Sequence, residues 1–95
     1  MVKDNLPVKV ITMMEAIEKN VATNPEIFLE NCSALEEYAN TNRNEYLKGY
    51  CLFFRGYASY ASAELEHGLA YFSEALNRLI AGEDWVLACR TYNAM

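Results

Sequence analysis

Apolar residues return at three- and four-residue intervals through most of this chain. Val10, Met14, Ile17 and Val21 step by four, three and four, and Phe28, Cys32, Leu35 and Ala39 repeat that rhythm. Each set therefore lies along one side of a helix turning every 3.6 residues. The first predicts a helix over about 8 to 22, opening after Pro7. The second predicts a helix from Asn24-Pro25 to about Ala39, because asparagine accepts from exposed amides and proline at the first helical position gives up no useful donor. Glu30, Glu36 and Glu37 fall outside its apolar stripe, and the polar run Asn40-Thr41-Asn42-Arg43-Asn44 ends it.

The next stretch is apolar on two sides. Tyr50, Phe53, Tyr57 and Tyr60 form one stripe, and Leu47, Cys51, Phe54, Ala58 and Ala61 form another, predicting a helix over about 44 to 61 that is packed on two faces. Ser62-Ala63-Glu64 reads as a stop and restart. Leu65, Leu69, Phe72, Leu76 and Leu79 then keep helical spacing up to Gly82, a terminator. Glu83-Asp84 puts negative charge at the next amino end, where the helix dipole favours it, and Trp85, Ala88, Cys89, Tyr92 and Met95 begin a fifth helix. With no proline inside any of these helices and no alternating strand pattern, the expected class is all-α: about five antiparallel helices joined by short connections in a single domain, residues 1–95.

Composition narrows the classes of partner. Thirteen acidic against eight basic side chains give a net charge of −5, with no lysine or arginine cluster, so nucleic acid and anionic membranes are not expected partners. The run Tyr50 to Phe54 is closed by Arg55, far short of the roughly 20 residues needed to span a bilayer. The amino end has no continuous signal-peptide core, and the expectation is a cytoplasmic chain. The three cysteines, Cys32, Cys51 and Cys89, fall at positions that fit apolar helix faces and are expected to be buried free thiols.

The spacing of large and small residues in the third and fourth helices resembles a tetratricopeptide-type repeat. Leu52 stands at the first bulky position, Gly56 at the small mid-helix position, Phe72 at the later aromatic one and Ala75 at the later small one. Arg55, Ser59 and Gly68 depart from the pattern, and no proline ends the unit near Ile80. Tyr92 would open a second unit 40 residues after Leu52, against a usual length of about 34. From Arg55-Gly56-Tyr57 to Thr91-Tyr92-Asn93-Ala94-Met95 the chain is also similar in texture to the helical segments that precede the catalytic domain of some bacterial GGDEF-type diguanylate cyclases. The resemblance implies a short α-solenoid of helical hairpins, the amino-terminal piece of a longer signalling protein. The cyclase's own Gly-Gly-Asp-Glu-Phe loop has no counterpart, and any enzyme would lie beyond Met95.

On that resemblance Tyr50, Phe53, Tyr57 and Tyr60 would line a concave, peptide-binding face. Tyrosine tolerates half-burial with a wet hydroxyl, but core packing against the first or second helix explains the same stripe equally well. Arg55, the one charge in the most apolar helix, either reaches solvent by its long stem, pairs with a carboxylate or meets an acidic ligand end, and a structural ion pair is the leading expectation. His67 beside Glu64 and Glu66 has too few ligands for a metal, and Asn31-Cys32-Ser33 lies inside a helix, so neither a metal site nor glycosylation is expected. No phosphate loop, carboxylate pair or nucleophile arrangement assembles, so neither catalysis nor a cofactor is expected. The leading expectation is a protein-interaction or sensory input module. The rival is a domain enclosing a small molecule among Phe53, Phe54, Tyr57, Tyr60, Tyr71 and Phe72. The uncovered Trp85, Ala88, Cys89 and Tyr92 predict self-association as a homodimer.

Overall fold

The structure, a computed structural model, describes residues 6–82 and 84–94, with Trp85 as backbone only. Five helices follow one another: α1 Val8–Asn20, α2 Pro25–Thr41, α3 Glu45–Ala61, α4 Leu65–Ala81 and α5 Trp85–Ala94. The described residues contain no strand, and no helix is long and apolar enough to cross a membrane. The all-α class expected from the sequence is the class observed, and consecutive helices pack as neighbours, α3 on α4 most extensively.

The helix starts recur at a constant step. α2, α3, α4 and α5 begin at 25, 45, 65 and 85, twenty residues apart. The connections repeat as well. The amide of Asn44 donates to Ala39 O at 2.9 Å, that of Glu64 to Ser59 O at 2.8 Å, and that of Asp84 to Leu79 O at 2.9 Å. Arg43 and Ala63, one residue before two of those amides, take left-handed φ values of 50° and 62°. Neither is glycine or asparagine, so the shared turn carries some backbone strain. Asn24, Asn44 and Asp84 each accept from the backbone amide three residues on, at Ile27, Leu47 and Leu87, satisfying donors that a helix start leaves open.

Burial recurs at twice that step. The buried residues of α2 are Phe28, Cys32, Leu35 and Ala39; those of α4, forty residues on, are Gly68, Phe72, Ala75 and Leu79. This shifts the α4 stripe from the one its leucines suggest, because Leu65 and Leu69 are 60% and 41% exposed. Glycine is the reason. A Cβ on Gly49 would lie 2.6 Å from Leu79 Cγ, and one on Gly56 would lie 2.8 Å from Phe72 Cδ1. One on Gly68 would run into the Tyr60 ring, and one on Gly82 would lie 2.7 Å from the backbone N of Tyr46. α3 and α4 meet where side chains are missing, and the neighbouring rings fill that space. Arg78 locks one end of the pair, its Nη1 donating to Glu45 Oε2 at 3.0 Å and its Nε to Glu74 Oε1 at 3.1 Å. Hydrogen bonding from Arg78 holds the Glu45 carboxyl below its usual range.

The cysteines divide. Cys32 and Cys51 are fully buried, while Cys89 is exposed, which corrects the expectation for that residue; all three are free. Cys89 lies on the outer side of α5, whereas Leu87, Ala88 and Thr91 turn inward. Burial pushes the Cys32 thiol from 9.0 up to about 12 and raises Cys51 as well. A thiol reagent at neutral pH is expected to modify one cysteine in the folded chain and three in denaturant; fast modification of more than one folded thiol would contradict this packing. Cys32 keeps its proton in the folded chain to about pH 12, whereas an unfolded thiol loses its own near about 8.5. Above that lower value the unfolded state binds fewer protons. Stability present at neutral pH is therefore lost as the pH climbs from about 8.5 towards 12, which urea midpoints across that range will show.

Candidate functional site

The tyrosine stripe of α3 splits along its length. Tyr50 and Phe53 are 4% and 3% exposed and belong to the core. The Tyr50 hydroxyl donates to Met14 O at 3.0 Å, tying α3 to α1, and burial drives its ionisation far upward. Tyr60 packs edge-on against Phe72 with centroids 5.1 Å apart, and Phe53 meets Phe54 at 5.0 Å and Phe72 at 5.7 Å. These rings fill the α3–α4 interface by touching one another. Of the stripe read as a groove, Tyr57 alone is half open to solvent. The two buried members are corrected to core residues, because Tyr50 is held against α1 at Met14 O and Phe53 packs on the Phe72 ring of α4.

An open cleft lies elsewhere, where the start of α2, the last turns of α3 and the start of α4 converge. It has a volume of about 480 Å³, within the common range for ligand sites. Phe28, Leu29 and Ala58 give it an apolar floor, and Arg55, Ser59 and Tyr71 bring polar groups to its wall. Each reaches it by helical register. Arg55 and Ser59 are one turn apart on α3, and Tyr71 stands one turn past His67 on α4.

Arg55 is held by a fork. Its Nε donates to Glu36 Oε2 at 2.7 Å and its Nη2 to Glu36 Oε1 at 2.8 Å, the two-pronged geometry that suits a guanidinium and a carboxylate. The bond to Glu36 raises the Arg55 pKa further, so the guanidinium keeps its charge. Arg55 thus forms the structural ion pair among the three sequence alternatives, with Nη1 outside the fork and a side chain 20% exposed on the cleft wall. On the far side His67 Nδ1 lies 3.1 Å from Glu64 Oε2, an exposed pair. Glu64 makes no cap bond to its helix, unlike the Asn24 and Asn44 residues that precede α2 and α3.

The arrangement can bind and orient. Its guanidinium is already paired with Glu36, so it suits neutral hydrogen-bonding groups carried on an apolar body better than a free anion. Among the described residues no group of three or more histidine, cysteine or acidic side chains is placed to hold a metal ion. Of the residues read as a self-association face, Ala88 is buried against the chain's own core at 5% exposure, Cys89 is exposed and Tyr92 is 70% exposed. The side chain of Trp85 lies outside the described residues. Sequence reasoning found Arg55, and Tyr71 through its rival reading, but missed Ser59, Phe28 and Leu29 as members of one site; three helix ends build it, and no periodicity marks such a junction. No protein-family model matches the chain, and comparison with curated proteins and with solved structures finds no match.

Proposed function

We propose that this chain is a non-catalytic protein-interaction module, of the kind that serves as an input domain in signalling proteins, and that it holds a peptide segment in the cleft between α2, α3 and α4. One observation carries the reading: the cleft sets the hydroxyls of Ser59 and Tyr71 and the edge of a charge-neutralised Arg55 around the apolar Phe28, Leu29 and Ala58. A peptide offers backbone carbonyls to such donors and an apolar side chain to such a floor. The recurring helix-loop unit supports the kinship with tetratricopeptide-like hairpins that belongs to this proposal, since repeat scaffolds keep their packing while exchanging surface residues. The proposed place ahead of a diguanylate cyclase rests on sequence texture alone.

A random peptide library displayed on phage, selected against the purified chain, tests the reading. A selected peptide titrated into isotope-labelled protein should shift amide signals of residues 21–29, 55–62 and 64–71. Arg55→Ala should weaken that binding while the chain keeps its helical circular dichroism. Selection of no sequence, or shifts confined to other helices, would discard the cleft as the site.

A further inference from the structure

We infer that the peptide seated in the cleft carries a lysine or arginine beside its apolar residue, and that Glu64 selects it. The inference rests on the reading of the cleft as a peptide site and adds the charge of its occupant. Apart from the Tyr71 phenol, the ionisable side chains on the cleft wall are Arg55, Glu64 and His67. Arg55 is already engaged: both oxygens of Glu36 accept from its guanidinium, at 2.7 and 2.8 Å, and the two charges cancel within the protein. The formal charge left on the wall is the Glu64 carboxylate.

His67 does not remove that charge. Its Nδ1 lies 3.1 Å from Glu64 Oε2, a bond that a neutral imidazole makes through its N–H. Among the described residues Oε1 has no hydrogen-bond partner, and the Glu64 side chain is 57% exposed. Nor does the helix engage it. Asn24, Asn44 and Asp84 each cap the helix they precede, whereas Glu64, at the matching place before α4, makes no cap bond.

Charge complementarity fixes the occupant. An apolar side chain on the floor of Phe28, Leu29 and Ala58 leaves the neighbouring residue of the same peptide to meet the wall. A lysine or arginine there donates to the open oxygen of Glu64 and lays its alkyl stem along the apolar floor. An aspartate or glutamate there meets a carboxylate and a guanidinium that is already paired, in a chain carrying −5. The cleft therefore accepts a base and turns away an acid.

Two phage libraries of random peptides, one unrestricted and one lacking lysine and arginine, are selected against the purified chain. The unrestricted library should yield sequences with a base next to an apolar residue. The tightest of them should bind Glu64→Gln about two- to fivefold more weakly than the parent, and should bind the parent less well as salt rises. The same peptide with its base replaced by glutamine should lose as much on the parent and nothing more on Glu64→Gln. Glu64→Asn should also weaken the basic peptide while raising the melting temperature by about 4 to 8 °C, because asparagine caps α2 and α3 from the matching position; a damaged fold does not explain that combination. Cleft-bound peptides that need no base, or whose binding ignores Glu64→Gln, overturn this inference and leave the peptide site standing. Binding by no peptide from either library overturns both.

Discussion

Gly56→Leu should lower the midpoint of thermal unfolding by roughly 8 to 16 °C. A Cβ at this position would lie 2.8, 2.9 and 3.1 Å from three atoms of the Phe72 ring. That ring is fully buried and wedged between Phe53 and Tyr60, so it has nowhere to turn. Overpacking of this kind costs up to about 3 kcal/mol. Leucine returns about 1 kcal/mol as a better helix former than glycine. The net of about 2 kcal/mol converts at roughly 4–8 °C per kcal/mol for a domain of this size. Tyr57→Leu is the control, one residue along the same helix but 49% exposed, and should stay within about 0.5 kcal/mol of the parent. Equal melting temperatures for the two variants would mean that α4 does not approach α3 at Gly56.

Glycine also marks where sequence reading and structure part. Helix number, order and approximate ends were legible: the predicted 8–22 became Val8–Asn20, the predicted 44–61 became Glu45–Ala61, and Gly82 closes α4. Local signals sufficed for that, because caps and apolar spacing act within a few residues. The packed face of α4 was not legible. Hydrophobic spacing scores Leu65 and Leu69 and passes over Gly68, yet Gly68 is buried under the Tyr60 ring while both leucines face outward. An apolar count is blind to contacts made by the absence of a side chain. α5 shows the same effect in smaller form: Ala88 looked like part of an open stripe beside Cys89 and Tyr92, but Leu87 and Thr91 set the inward face and carry Ala88 with them.

The cleft was only partly readable for a different reason. Arg55 stood out as a charge in an apolar helix, but its partner Glu36 lies nineteen residues away on another helix and looked like any solvated acid. Tyr50 was ambiguous because burial requires an acceptor for its hydroxyl, and the acceptor is a backbone carbonyl, Met14 O, which carries no sequence signature. Long-range pairings of this sort depend on which helix faces come to lie together. The twenty-residue recurrence of turns is likewise written in backbone hydrogen bonds more clearly than in side-chain identity.

Phe72 and Gly56 should prove coupled, and their coupling tests the α3–α4 contact more sharply than either single change. Phe72→Ala removes a fully buried ring that touches Phe53 and Tyr60, a truncation that costs about 3–5 kcal/mol. That is a large share of the roughly 5–15 kcal/mol available to a small domain, so the single variant will sit close to unfolding. Much of the cost is the hole left beside Gly56, which has no side chain to move into it. Leucine at position 56 is harmful because the ring is present; with the ring gone, its side chain enters the space the ring leaves. The double variant Gly56→Leu with Phe72→Ala should therefore be more stable than the sum of the two losses predicts, by more than about 1 kcal/mol. Urea denaturation of the four proteins gives the cycle, and Phe72→Leu supplies a milder version should Phe72→Ala fail to fold. Losses that add within about 0.5 kcal/mol would show that residue 56 and the ring act independently, and the close approach of α3 and α4 at that point would have to be given up.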